Sequence, residues 1–344
     1  MNRRSSDVRR SGRPDYRPTL AILLPHRDLK YNAPRGVCGG REFQVRKHGK
    51  SADGAGTMSL HGDVTGLTDR SEPAALLVDC LRRAHGLDVS CFSESFLARS
   101  FERRWQAVAG MTSSSYLQCL GRDRGEAEAY VQSLNIHHSA FFRDPLVFAM
   151  LEHRLLPGLA NAREASASPE IRVWSAGCAA GEEAYSVAIL LSELCNRFDI
   201  PVRFRLFATD SSAQQLELAC MGSYAASVMG NVNLRHLDRW FTRREDTYVV
   251  APELRERVDF SLHGLLDEHS VSPSASIFGG FDLILCCNLL FYYRTEGQEL
   301  ILKKLRRCLA PNGYLVTGEA EREMVQTQGF VPLPGPAAIF QAVR

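Results

Sequence analysis

The stretch Ile171-Arg-Val-Trp-Ser-Ala-Gly-Cys-Ala-Ala-Gly-Glu-Glu-Ala-Tyr-Ser-Val-Ala-Ile-Leu-Leu191 most narrows what this chain can fold into. Val173 to Ala176 reads as a short buried strand. Gly177 and Gly181 bracket a tight turn. From Glu182 the apolar residues Ala184, Val187, Ala188 and Leu191 recur with the spacing of one helix face. Strand, glycine turn and helix in this order build a nucleotide pocket in α/β folds, because glycine lets backbone approach a ligand and the helix N-terminus faces it.

The turn is Gly-Cys-Ala-Ala-Gly, not the Gly-x-Gly-x-x-Gly of a dinucleotide site, which presents bare amides to a pyrophosphate. Two acids, Glu182 and Glu183, open the helix instead. They suit the helix dipole in any protein, and they would repel a phosphate. A ligand with hydroxyls and a positive charge fits better, and S-adenosylmethionine is such a ligand.

Downstream the alternation of strand and helix continues. Phe204–Asp210 reads as a second strand, Val258–Leu262 as a third, Phe281–Cys287 as a fourth ending in Asn288, and Tyr314–Thr317 as a fifth. Leu300–Leu309 is helical, stopped by Pro311-Asn-Gly313. Phe330–Leu333 and Ala338–Val343 would close the sheet as an antiparallel pair. This pattern predicts a Rossmann-like α/β fold with a mostly parallel sheet and helices on both faces. Gly177, Asp210 and Asn288 then fall at the carboxyl ends of strands, where such sheets bind ligands. An acid at the tip of the second strand is placed to hold two ribose hydroxyls. The plain alternative is a cap for the helix Ser212–Met221. Ribose is favoured, since the glycine turn and the acid share one sheet edge. Residues 222–257 interrupt the alternation and predict a small β insertion.

Before the sheet, Leu76–Arg83, Phe92–Val108, Met111–Leu120 and Glu126–Leu134 carry helical patterns, with Thr112 or Ser113 as a cap for the third. They predict an all-helical domain over 74–134, followed by the ligand-binding domain over 135–344. The second of these helices presents Arg99, Arg103 and Arg104 on one face, either solvated or a dock for an acidic partner. Residues 1–73 read as a basic extension of low order: residues 1–57 hold 13 Lys/Arg against 5 Asp/Glu, leaving 28 against 34 for the rest. Met58 is an alternative start that would remove this arm. The net charge of +2 gives no reason to expect nucleic acid. Ten cysteines show no CxxC pair, and the adjacent Cys286-Cys287 suits a reduced strand. No apolar run approaches the roughly 18 residues of a membrane helix. A cytoplasmic monomer without stable membrane insertion is expected. His137 and His138 have no third ligand spaced near them, so no metal is expected.

Taken together, these residues resemble the CheR-type chemotaxis-receptor glutamate methyltransferases over about 74–344. The resemblance rests on seven motifs in order. They are the helical front domain, the Phe141-Phe-Arg-Asp-Pro145 junction, Ala176-Gly-Cys-Ala-Ala-Gly-Glu-Glu-Ala-Tyr-Ser186, Phe207-Ala-Thr-Asp210, Gly222-Ser-Tyr224 with Trp240-Phe241, Val258-Asp-Phe260, and Cys287-Asn-Leu-Leu-Phe-Tyr-Tyr293. The resemblance implies S-adenosylmethionine as methyl donor, S-adenosylhomocysteine as product, and a glutamyl methyl ester on a chemoreceptor-like protein in signal transduction. It implies cofactor contacts at His137, Ser139, Arg143, Gly177, Glu182 or Glu183, Asp210, Gly264, Leu265, Asn288 and Leu289. Arg143 would also hold the acceptor carboxylate, with Tyr292 beside the methyl group. The family usually has Asn at 137, Thr at 139, Asn at 264, Arg at 287 and Asp at 294. Here these are His, Ser, Gly, Cys and Arg. The departures motivate two alternatives: a regulator that binds the cofactor or its product without turnover, and a methyltransferase for another carboxylate.

Overall fold

The computed structural model describes residues 71–108, 110–134, 139–164, 169–198, 203–267, 269–276 and 279–342. The chain divides into two units, Met1–Thr65 and Gly66–Arg344, and every described residue belongs to the second. The predicted basic extension, apart from its last residues, and His137 lie outside the described residues.

Four helices come first: α1 (Ser71–His85), α2 (Glu94–Ala107), α3 (Ser113–Arg122) and α4 (Arg124–Ser133). Their apolar faces meet in one core around Leu77, Leu81, Leu97, Tyr116, Leu120 and Tyr130. Thr112 caps α3, its side chain accepting from the Ser115 N–H, and Asp123 caps α4 through the Glu126 N–H. Arg104 turns away from the arginine face of α2. Its Nε and Nη2 each donate to Glu126 at 3.0 Å, and the Tyr116 hydroxyl donates to the same carboxylate at 2.7 Å. Of the three arginines predicted to form a docking face, Arg104 is therefore committed to tying α2 to α3 and α4. Arg99 and Arg103 remain exposed.

One continuous helical run follows the junction: α5 (Pro145–Met150), a π-helical turn (Leu151–Leu155) and α6 (Leu156–Glu164). Asp144 caps α5, with Pro145 in its first turn. The strands are β1 (Glu170–Ala176), β2 (Arg203–Asp210), β3 (Ser223–Ala225), β4 (Phe241–Arg244), β5 (Thr247–Val250), β6 (Val258–Leu262), β7 (Phe281–Cys286), β8 (Leu309–Thr317), β9 (Phe330–Pro332) and β10 (Ile339–Ala342). Between them lie α7 (Glu182–Phe198), α8 (Ala213–Met221), α9 (Leu234–Trp240), α10 (Pro252–Arg255), α11 (Thr295–Cys308) and α12 (Arg322–Gln326). The β8 strand begins at Leu309, ahead of the Pro-Asn-Gly turn, and takes that turn in as a register shift against β7 with Asn312 at φ 63°.

The main sheet has seven strands in the order β6-β2-β1-β7-β8-β10-β9. Five run parallel, and β10 is antiparallel to both neighbours. Alternate residues feed two cores. Val173, Leu206, Ala208, Leu283 and Leu285 pack on one side; Trp174, Phe207, Ile284 and Cys286 pack on the other. Burial on both faces explains why the central strands read as continuous apolar runs. From β1 the chain winds out to β2 and β6, then returns to β7 on the other side. The order therefore reverses between β1 and β7, and the carboxyl end of β1 is the crevice where such sheets take ligands.

The insertion forms a separate three-stranded antiparallel sheet, β3-β5-β4. Phe141 packs edge-on against its Tyr224 and Phe241, with centroids 4.8 and 5.2 Å apart. The loop between α1 and α2 is pinned to the segment after β7. The Ser93 N–H donates to the Tyr292 carbonyl at 2.8 Å and the Arg294 N–H to the Cys91 carbonyl at 2.9 Å. The Phe92 and Tyr293 rings stack at 5.3 Å.

Candidate functional site

The glycine turn after β1 is folded back onto β2. The Gly177 and Cys178 N–H groups both donate to the Thr209 carbonyl, at 2.8 and 2.9 Å. Gly177 and Gly181 sit at φ 82° and 95°, where a side chain is strained. A Cβ at 177 would also lie 3.2 Å from Leu289 Cδ2. Three non-glycine residues nearby hold the left-handed conformation: Phe142 at φ 49°, Ala179 at 48° and Asn288 at 60°. Strained backbone of this kind persists only where surrounding structure over-determines it, and it gathers at functional sites.

Each strained residue has visible restraints. The Phe142 N–H donates to Ser186 Oγ at 3.0 Å, and the Phe142 carbonyl accepts from Asn231 at 3.1 Å. The Ala179 N–H donates to Asp210 Oδ2 at 2.9 Å. Asn288 is held by Glu321. This carboxylate is fully buried and accepts four backbone N–H bonds. Leu289 and Leu290 donate to Oε1 at 2.6 Å each, Asn288 and Gly318 to Oε2 at 2.9 and 2.8 Å. Burial pushes the Glu321 carboxyl up from the usual range, and the N–H bonds from Gly318, Asn288, Leu290 and Leu289 pull against that rise.

One cavity at the carboxyl edge is lined by Ser139, Arg143, Gly177, Glu183, Asp210, Asn288, Leu289 and Tyr292, with Cys178, Ala179, Cys287, Thr317 and Gly318 among their neighbours. A second opens beside it around Gly264 and Leu265. The two share Gly177, Asp210 and Leu289 as a common wall. Thus nine of the predicted positions, Ser139, Gly177, Glu183, Asp210, Gly264, Leu265, Asn288, Leu289 and Arg143, lie on two adjoining cavities with Tyr292. Glu182 does not. It is buried, 5% exposed, on a different side of α7 from Glu183, since successive helix residues turn by about 100°. Of the two acids that open α7, Glu183 is the one on the cavity.

Glu183 accepts from Ser175 Oγ at 2.6 Å. Burial raises its carboxyl; hydrogen bonds from Ser175 and Cys287 oppose this, the nearby Glu321 charge adds to it, and Arg143 lowers it. Asp210 keeps both oxygens partly engaged: Oδ2 with Ala179, Oδ1 with the Ser212 N–H at 2.9 Å. Each oxygen retains a lone pair for a further donor. The cap of α8 is Ser212, whose side chain accepts from Gln215, so Asp210 is not spent on that role. Tyr292 stands at the cavity edge with its ring on Phe96 at 4.8 Å. Burial raises its phenol, with Arg143, Arg99 and Arg103 among the charges that oppose the rise.

Residues 137–338 match the family described as CheR methyltransferase, SAM binding domain. The chain belongs to the CheR methyltransferase family. Its cofactor is S-adenosylmethionine. The residues present fit that group: a desolvated acid beside a cation, Glu183 and Arg143, suits an amino acid end, and a carboxylate with spare lone pairs, Asp210, suits a diol. Among the relatives, an uncharacterized 104.1 kDa protein in the hypE 3' region of Rhodobacter capsulatus is 31% identical over 297 residues, 85% of this chain and 30% of that protein. The chain thus spans under a third of that protein's length. A chemotaxis protein methyltransferase of Escherichia coli is 32% identical over 225 residues, 64% of this chain and 73% of that protein. A probable biofilm formation methyltransferase, WspC, of Pseudomonas aeruginosa is 28% identical over 259 residues, 74% of this chain and 58% of that protein. No described helix is long and apolar enough to cross a membrane.

Glu321 is not among the site residues that the sequence points to. The structure makes it the support of the Asn288–Leu290 backbone.

Proposed function

We propose that this chain methylates a glutamate side chain of a chemoreceptor-like signalling protein, forming a glutamyl methyl ester. The observation that carries this reading is the sign of the charge around the acceptor end of the cavity. Arg143 lines the cavity, and Arg99 and Arg103 on α2 act on the same Tyr292 hydroxyl. These cations would favour an anionic acceptor over a positively charged one, with Asp144, Glu183 and Asp210 as the carboxylates on the same cavity.

When bound, S-adenosylmethionine supplies a methyl group activated by a positively charged sulfur. Ser139, Arg143 and Glu183 would hold its amino acid end, Asp210 its ribose, and Gly264, Leu265, Asn288 and Leu289 its base and the surrounding backbone. His137 belongs to the same proposed set. The acceptor needs no general base, because a glutamate carboxyl with a reference pKa of about 4.3 is already ionised at neutral pH. What the protein must provide is alignment, which can supply roughly 7–11 kcal/mol in a well-oriented reaction. Arg143 orients the acceptor carboxylate, and Tyr292 bounds the space in which the methyl group sits. Arg99 and Arg103 dock the acidic stretch of the partner.

The test is Arg143→Ala. Turnover on receptor cytoplasmic fragments should fall about 100-fold, the scale of losing a positioning contact, while the melting temperature stays near that of the parent protein. Parental turnover in this variant would remove Arg143 from the mechanism.

A further inference from the structure

The junction that carries Arg143 is gripped by the insertion between α8 and β6. Arg143 is exposed at the rim of the first cavity, so its backbone sets where its side chain begins. On its carboxyl side the chain is fixed, because the Asp144 side chain caps α5. On its amino side the backbone is strained: Phe142 is buried and holds φ 49°, a conformation that a bulky residue rarely adopts. Relaxation of φ to the ordinary region would turn the Phe142–Arg143 peptide and carry the arginine with it.

Contacts from α7 and from the insertion oppose that relaxation. The Phe142 N–H donates to Ser186 Oγ on α7, and this hydroxyl donates in turn to the Glu182 carbonyl at 2.7 Å. The Phe141 N–H donates to the Val228 carbonyl in the insertion at 3.2 Å. His236 on α9 stacks its ring on that of Phe142, with centroids 5.5 Å apart and planes 20° from parallel. Asn231, in the turn between Val228 and α9, donates from Nδ2 to the Phe142 carbonyl at 3.1 Å. That carbonyl belongs to the same peptide unit as the Arg143 N–H. A peptide unit is planar and stiff, so a bond to one end of it fixes the other. Asn231 is itself exposed.

We infer that Asn231 is a positioning residue for Arg143: it holds the Phe142–Arg143 peptide in the strained turn from which the arginine reaches the cavity. This role rests on Arg143 acting in the methyl transfer proposed above. It gives the small β insertion a part in the reaction, exerted through the backbone of the junction. An exposed asparagine that bonds one carbonyl contributes little to folding. A misplacement of about 1 Å in a reacting site can nevertheless cost about 100-fold in rate. Loss of the bond should therefore show in kcat and not in the melting temperature.

The experiment is a double-mutant cycle on the full chain, read by methyl transfer to receptor cytoplasmic fragments and by calorimetric titration with S-adenosylhomocysteine. Asn231→Asp keeps the shape but sets an acceptor against the Phe142 carbonyl. At saturating cofactor it should lower kcat about tenfold, change KM for the fragment less than about twofold, and melt near the parent. Asn231→Ala should give a smaller loss in the same direction, which separates the missing bond from the added charge. Asn231→Gln, which returns an N–H donor, should recover part of the rate. In an Arg143→Ala background Asn231→Asp should have no further effect, since the group it positions is gone. Parental kcat in Asn231→Asp would overturn the inference, as would the full loss persisting in the Arg143→Ala background. A parent protein that transfers methyl to no fragment marks a failure of the proposed reaction, and the same cycle on S-adenosylhomocysteine affinity then decides the role of Asn231. A loss in Asn231→Asp that vanishes with Arg143→Ala supports it; no loss, or an equal loss in both backgrounds, overturns it.

Discussion

Glu321→Gln isolates the part of the site that sequence periodicity does not reveal. In the parent protein each carboxylate oxygen accepts two backbone N–H groups. Glutamine preserves the shape but turns one oxygen into an NH₂ donor. Two buried N–H groups, either those of Leu289 and Leu290 or those of Asn288 and Gly318, then face a donor. At about 1–3 kcal/mol for each unsatisfied buried group the cost is about 2–6 kcal/mol, less whatever is recovered by no longer burying a charge. For a domain of roughly this size, each kcal/mol of net cost should lower the melting temperature by about 2–4 °C. The loss is centred on Asn288 and Leu289, so S-adenosylhomocysteine affinity should fall with it. Neighbouring Glu319→Gln is the control. Glu319 pairs with Arg322 at the surface, where an exposed pair contributes about 0–1 kcal/mol. Differential scanning calorimetry and ligand titration read both effects. A Glu321→Gln protein that melts with the parent and binds S-adenosylhomocysteine equally well would refute the role given to the four N–H bonds.

Three further outcomes are expected. Arg104→Ala should lower stability by about 1–2 kcal/mol, since it strips a two-pronged hydrogen-bonded partner from half-buried Glu126, and leave KM for a receptor fragment unchanged. Arg99→Glu with Arg103→Glu should do the opposite, raising KM with stability kept, and the increase should shrink at high salt. Glu183 sets a pH dependence: burial raises its carboxyl in the folded protein, so the folded state binds that proton more tightly than the unfolded chain. Its contribution to stability is then fully present below the ordinary carboxylate range and is lost as pH rises through the raised value. Melting curves of Glu183→Gln across that window should be flatter than those of the parent; an unchanged slope would assign the dependence to other groups.

Much of the sheet could be read from the chain because its strands are buried on both faces and punctuated by glycine or an acid at the carboxyl ends. The Gly177–Gly181 turn, Asp210 and Asn288 were legible for this reason. What escaped depended on contacts between distant segments. Glu321 acts on Asn288, 33 residues away, through backbone groups that carry no residue identity. Glu182 and Glu183 are equivalent in sequence, and only the phase of α7 against β1 turns one toward the cavity. Arg104 shares a helix face with Arg99 and Arg103 by spacing, but Glu126 on α4 recruits it. The helix ends at Cys308, one residue from its expected end, but β8 starts at Leu309 and not at Tyr314, because the Pro-Asn-Gly turn is absorbed into a strand irregularity.

The most direct measurement of the central claim is base-labile methyl incorporation. The protein, methyl-labelled S-adenosylmethionine and receptor cytoplasmic fragments are incubated, and volatile methanol is collected after alkali. The account predicts labelled methanol that disappears when the acceptor glutamates are replaced by alanine. Tight binding of S-adenosylhomocysteine with no alkali-released methanol from any carboxylate acceptor would contradict it.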